Sequence, residues 1–271
     1  MNSARHLWPA AFFDLDGTLL PEPSLERRLL RFLRERGEWS PLSLGPWATR
    51  FLADAALGGK VSRGERFLHA MHGNKLYWRS MRPSCVEDFL AERPLLEFFP
   101  EGLLRIAWHV AQGHRIFLVT GTLHPLAQQI AEELRNRAQV AWTGLAGVCA
   151  TRLEERNGYW TGEIFGEAVC GSGKALAIER LTREHELDLT RSFSYGNSSA
   201  DRCMLACVGN PVAVNPSRAL QRFARANGWP MLCWGKNKVA AQHPAENRKE
   251  AANEFTPDAV TDWRRALGRK A

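Results

Sequence analysis

The chain has 271 residues, of which 45% are hydrophobic and 24% charged; this supports one large domain, or a core with an inserted subdomain, and argues against global disorder. No run of about 18 apolar residues occurs, which excludes a hydrophobic helical membrane span, and the first nine residues lack a secretory apolar core, so a cytoplasmic protein is expected. The formal net charge of +7 suits anionic substrates or a solvated basic surface, and nucleic acid is not the expected partner: Arg27, Arg28, Arg31, Arg34 and Arg36 alternate with Glu26, Glu35 and Glu38 as on an ordinary mixed-charge helix face.

Ala10–Phe13 has the length and character of a buried strand. Asp14 and Asp16 follow at i and i+2, so they share one side if extension continues. Two converging acids repel unless a cation or proton offsets them. Gly17 then lets the chain turn.

Residues 22–98 carry helical periodicity and no strand pattern. Leu25, Leu29, Leu30, Phe32 and Leu33 predict one helix, and Trp47, Phe51, Leu52, Ala55 and Ala56 a second. Phe67, Leu68, Met71, Leu76 and Tyr77 predict a third, and Val86, Phe89 and Leu90 a fourth. Breaks fall at Gly37, Ser40-Pro41, Gly58-Gly59 and Pro83. The pattern predicts a helical subdomain inserted after the first strand.

The αβ rhythm resumes near Pro100. A helix runs to Gly113, and a strand over Ile116–Val119 ends at Thr120-Gly121-Thr122. Leu126–Leu134 reads as a helix and Val140–Trp142 as a short strand. Val148–Leu153 and Tyr159–Ile164 flank Asn157-Gly158, a strong signal for one β-hairpin. Gly171-Ser172-Gly173-Lys174 opens a helix. It lacks the first glycine of an NTP-binding P-loop at the required spacing. A strand over Arg191–Tyr195 ends at Gly196-Asn197-Ser198-Ser199-Ala200-Asp201, and further strands are expected at 211–214 and 231–234. Short apolar strands alternating with helices predict an α/β fold with a doubly wound, mostly parallel sheet, whose ligands sit at the C-terminal strand ends. Beyond Gly235 the chain is polar, and a disordered or loosely docked tail is expected. None of the six cysteines forms a Cys-x-x-Cys pair, so reduced thiols are expected rather than a zinc site.

Asp14-x-Asp16-Gly17-Thr18, then Thr120, Lys174 and Gly196-Asn197-Ser198-x-x-Asp201, resembles the haloacid dehalogenase-like hydrolase superfamily over residues 10–234. The helical insert resembles that superfamily's first cap class. Gly158–Gly162, Lys174 and Ala213-Val214-Asn215-Pro216 resemble subfamily IB, the phosphoserine phosphatase-like branch. The resemblance implies a Rossmann-like core of residues 1–21 and 99–234, a cap of 22–98 and a tail of 235–271. It implies a Mg2+-dependent phosphatase acting on a small phosphorylated metabolite through a covalent aspartyl-phosphate. Asp14 would be nucleophile and metal ligand. Asp16 would be acid and base, with its main-chain carbonyl on the metal. Thr120, Gly121 and Lys174 would hold the phosphate. Asp201 would be the acidic metal ligand, joined by Asn197, where many relatives have Asp; a purely structural role for Asn197 in the turn is the alternative. Glu22, Arg63, Arg66 and His69 are candidates for reading the substrate, though each also suits a solvated surface. A mutase or phosphotransferase would use the same residues, and a non-catalytic basic binding protein is the rival from another class.

Overall fold

The computed structural model of the chain describes residues 7–57, 72–92, 97–137 and 145–235. Strand β1 (Ala10–Phe13) is wholly buried. It pairs in parallel with β2 (Arg115–Leu123) on one side and β6 (Phe193–Gly196) on the other. Beyond β2 lies β3 (Leu145–Thr151), and beyond β6 lie β7 (Asn210–Val214) and β8 (Met231–Leu232). The six-stranded order is β3-β2-β1-β6-β7-β8, with every pairing parallel.

Apolar side chains alternate between two helical layers, which is why these strands read as continuous apolar runs. Ala11, Phe13, Leu118 and Tyr195 pack with Ile106 of helix α4 (Pro100–Ala111). Ala10, Phe12, Phe117 and Val119 pack with Ala177 and Ile178 of α6 (Ser172–His185) and Met204 of α7 (Arg202–Leu205). The order reverses at β1, so the connections diverge from its C-terminal end and leave a crevice there. This is the doubly wound α/β fold expected from the sequence. Helices α5 (His124–Arg137) and α8 (Arg218–Ala226) complete the connections.

Between β1 and α4 the described chain carries the helices α1 (Leu25–Glu35), α2 (Leu44–Leu57) and α3 (Cys85–Glu92). The third expected helix is not continuous to Tyr77: Leu76–Trp78 is a single 3-10 turn. Phe67, Leu68 and Met71 lie outside the described residues, as do the Val140–Trp142 strand and the tail beyond 235. No helix of the described residues is long and apolar enough to cross a membrane.

Two expectations need correction. Val148–Leu153 is not one hairpin strand. Val148–Thr151 belongs to β3, paired with β2, because Cys149 and Ala150 pack into opposite layers of the main core. Only β4 (Leu153–Arg156) pairs antiparallel with β5 (Tyr159–Ile164). Nor is Glu26 on a solvated face. It is buried, and Lys75 holds it with Nζ distances of 2.6 and 2.8 Å to its two carboxylate oxygens. Tyr77 adds a hydroxyl bond of 2.9 Å and Trp78 an indole contact of 3.4 Å. One buried charge is thus balanced by another and by neutral donors, as burial demands.

Candidate active site

Asp14 is the first residue past β1. Its N–H donates to the Tyr195 carbonyl at 3.0 Å, the last bond between β1 and β6. The chain then turns sharply. The Leu15 carbonyl accepts the N–H groups of Thr18, Leu19 and Leu20, and Gly17 adopts φ +79°, a region costly for side-chain-bearing residues. The turn brings Gly17 against Asn197: a Cβ built on Gly17 would lie 2.0 Å from the Asn197 amide nitrogen.

Lys174 is in the first turn of α6, whose start is tied to the β6 loop by Gly171 N–H donating to the Ala200 carbonyl at 3.1 Å. Its ammonium donates to Asp14 Oδ1 and to Asp201 Oδ1, each at 2.6 Å. All three are nearly sealed from solvent, with exposures of 6% for Asp14, 3% for Lys174 and 1% for Asp201. Asp201 Oδ2 accepts the N–H groups of Asn197 (3.1 Å) and Ser198 (2.8 Å) and the Ser198 hydroxyl (2.9 Å). Gly196 is the neighbour that permits this turn, since a Cβ there would sit 2.5 Å from the Asp201 Cβ.

Burial raises the Asp14 carboxyl above its ordinary range; Lys174 opposes that rise, and the charges of Asp201 and Asp16 add to it. Burial alone would lower Lys174, but the two carboxylates more than offset it and hold the ammonium above its usual range. Two carboxylates share one ammonium, so the buried triad retains a net negative charge when all three are ionised. A cation is the natural complement.

Asp16 is turned aside from this triad. Its Oδ2 accepts the Thr122 hydroxyl at 2.6 Å and its Oδ1 the Leu25 N–H at the start of α1, at 2.8 Å. Burial raises its carboxyl; the Thr122 and Leu25 bonds lower it in part. Thr120 is buried, and its hydroxyl accepts the Thr122 N–H at 3.2 Å. Gly121 sits between them in β2, where the register shifts between Thr120 and Leu123. That irregularity lets Thr122 reach Asp16. Sequence reasoning chose Thr120 and passed over Thr122, Ser198, Glu26 and Lys75. The Thr-Gly-Thr repeat was the available signal for Thr122, and the Gly196-Asn197-Ser198-x-x-Asp201 motif for Ser198; Glu26 and Lys75 had none beyond residue type.

Glu22 is exposed at the start of the insertion, with its charge near enough to raise Asp16. Arg63, Arg66 and His69 lie outside the described residues. A cleft of about 300 Å³ opens beside the Lys174 turn. His72 and Gly73 line it from the insertion, Glu163 from β5, and Ser172, Ser199 and Arg202 from the core.

The donor set fits a hard divalent cation. Two carboxylates, the Asn197 amide and the Asp16 main-chain carbonyl are all oxygen donors of the kind Mg2+ takes. No cluster of three His, Cys, Asp or Glu side chains suited to a metal occurs among the described residues. A metal held here would need oxygen donors beyond the two carboxylates, for which the Asn197 amide and the Asp16 main-chain carbonyl are the candidates.

A family model described as haloacid dehalogenase-like hydrolase matches residues 11–206. A phosphoserine phosphatase of Mycobacterium tuberculosis is 37% identical over 121 residues, covering 45% of this chain and 36% of that protein. The chain thus spans about a third of that relative's length. A second M. tuberculosis protein, named a probable phosphatase, is 31% identical over 234 residues, covering 84% of this chain and 76% of its own. The crystal structure of a protein of unknown function from Bordetella pertussis Tohama I superposes with a TM-score of 0.60 at 26% identity, covering 84% of this chain and 99% of that one.

Proposed function

Because the chain belongs to the haloacid dehalogenase-like hydrolase family, we propose that it hydrolyses a small organic phosphomonoester through a covalent aspartyl-phosphate on Asp14. The observation that carries this reading is the Lys174 ammonium shared between Asp14 and Asp201 at 2.6 Å each. Two carboxylates and an ammonium meeting in one sealed site at the end of β1 support the roles of nucleophile for Asp14, phosphate-binding cation for Lys174 and metal-binding carboxylate for Asp201.

An Asp14 carboxylate oxygen attacks phosphorus, and the bond from phosphorus to the ester oxygen breaks. Asp16 gives its proton to the departing alcohol. It then takes a proton from water, which attacks the acyl phosphate and frees inorganic phosphate and the Asp14 carboxylate. To do this Asp16 exchanges one of its bonds, to Thr122 or to the Leu25 N–H, for the reacting oxygen. The Thr120 hydroxyl, the Gly121 N–H and Lys174 hold the phosphoryl oxygens. Asp14, Asp201, Asn197 and the Asp16 carbonyl would hold Mg2+, which when bound supplies positive charge against the repulsion between carboxylate and phosphate dianion. The insertion of residues 22–98 acts as the cap that selects the organic part, with Glu22, Arg63 and Arg66 as its reading residues.

The test is hydrolysis of a chromogenic aryl phosphate and a panel of phosphorylated metabolites, with Mg2+ and with EDTA. Wild type is expected to turn over with Mg2+ alone and Asp14→Asn to be inert. An inactive wild type across the whole panel defeats the phosphatase reading. Activity that survives Asp14→Asn defeats the nucleophile assignment.

A further inference from the structure

We propose that Tyr195, held by a hydrogen-bonded chain through buried His109 to half-buried His114, is a positioning residue that fixes where Asp14 stands; the catalytic half of this proposal rests on the phosphatase reading. Tyr195 has no place in the chemistry itself. Its main-chain carbonyl accepts the Asp14 N–H at 3.0 Å, so Tyr195 sets the position of the Asp14 backbone. In the β1–β6 register it stands opposite Phe13, the residue before Asp14. The two rings stack at 4.5 Å with 7° between their planes, and Trp234 packs near the Tyr195 ring at 6.3 Å.

Stacked rings still slide over one another, because dispersion has no direction. A hydrogen bond at the far end of the phenol removes that freedom. The Tyr195 hydroxyl lies 2.8 Å from His109 Nε2, and His109 Nδ1 lies 2.8 Å from His114 Nδ1. His109 is fully buried on α4, and Tyr195 is 1% exposed. Burial, reinforced by His114 and Arg105, pushes the His109 imidazole down to about 3, so it is neutral at ordinary pH. A neutral His109 accepts the Tyr195 hydroxyl proton at Nε2 and donates its own Nδ1–H to His114. The Tyr195 hydroxyl and the His109 Nδ1–H then each have an acceptor.

Leucine at 109 would fill the same layer of core. An imidazole here instead anchors the strand that carries the Asp14 backbone bond, the Gly196 close approach and the Asn197 loop. A slide of β6 would displace all three together.

The experiment uses the full chain with Mg2+ and an aryl phosphate. Tyr195→Phe removes one oxygen and keeps the stack. His109→Leu removes the anchor, and His109→Gln restores a group able to bond the hydroxyl. Loss of sub-ångström positioning predicts a fall in kcat of about tenfold for Tyr195→Phe and for His109→Leu. KM should stay within about twofold, the double variant should fall no further than either single one, and His109→Gln should recover most of the loss. A kcat within about twofold of wild type in both single variants overturns the proposal, as do additive losses. A second measurement needs no turnover. In chains labelled with 15N-aspartate, the Asp14 amide resonance should move in Tyr195→Phe and return toward its place in no variant lacking the hydroxyl. An unmoved Asp14 resonance overturns the positioning role even where wild type hydrolyses nothing, an outcome that by itself defeats only the phosphatase reading.

Discussion

Gly17→Ala separates what the turn after β1 contributes to folding from what it contributes to catalysis. Gly17 sits at φ +79°, where a side-chain-bearing residue is disfavoured by about 1–2 kcal/mol. The new methyl would also stand 2.0 Å from the Asn197 amide nitrogen, against 3.4 Å for ordinary contact. The amide must retreat by about 1.4 Å, or swing away altogether. A displaced side-chain end is cheap in stability, so the folding loss should remain near the backbone cost, about 1–2 kcal/mol in urea denaturation. Its catalytic effect should be larger, because a misplacement of about 1 Å can cost about a hundredfold in rate. We expect kcat to fall by about 10–100-fold, with a higher Mg2+ concentration for half-maximal activity. The control is Asn197→Ala. If Gly17→Ala acts by displacing the amide, the double variant should be no slower than Asn197→Ala alone, yet keep the full stability loss of Gly17→Ala. Wild-type kcat and Mg2+ dependence in Gly17→Ala, or activity losses that simply multiply, would refute the reasoning.

Three further outcomes follow from the same geometry. Lys75→Met leaves Glu26 charged and buried and should cost about 3–5 kcal/mol in urea denaturation; adding Glu26→Leu should recover part of that, and a double variant as unstable as the sum of the singles would show that the two charges do not depend on each other. Thr122→Val frees Asp16 from its hydroxyl partner and should lower kcat by about tenfold, more on alkyl phosphates than on nitrophenyl phosphate, because only the poor leaving group needs the proton; equal losses on both would remove Thr122 from that role. Asn197→Asp adds a formal negative charge to the donor set and should bind Mg2+ as tightly as wild type or up to about tenfold tighter, by titration calorimetry. A large loss of affinity would mean that the amide group itself is required.

What the sequence disclosed and what it hid divide along the range of the interactions. Ala10–Phe13 announces a buried strand because all four residues are apolar, and the sheet does bury all four. Asp14, Lys174 and Asp201 are 160 and 27 residues apart in their two contacts, and only the spacing of the whole set hinted that they meet. Thr122 was hidden because a regular strand would turn it to the same face as Thr120; the register shift in β2 directs it to Asp16 instead. Glu26 was misread for a similar reason. Arginines surround it in sequence, but its partner Lys75 lies 49 residues on, and charge alternation says nothing about a partner that distant. The break between β3 and β4 at Arg152 was blurred because one residue separates two strands that belong to different sheets.

The hairpin has a mechanical consequence. Trp160 donates its N–H to the Met81 carbonyl and accepts the Ser80 N–H, both at 2.9 Å, and the Lys75 N–H reaches the Gly162 carbonyl at 3.1 Å. Gly162 is the contact point: a Cβ there would lie 2.7 Å from the Leu76 Cα. The free edge of β5 is thereby closed by the strap of chain that returns from the insertion, and Trp78 rests edge-on against Trp160. Residues 75–81 of the insertion and the hairpin form one jaw. It is joined to the main sheet by separate stretches of chain before α1, after α3, before β4 and after β5. Such a jaw resists shearing, since any sideways slip breaks main-chain bonds, and it ties the His72 and Glu163 sides of the cleft to each other rather than to the core side formed by Ser172, Ser199 and Arg202.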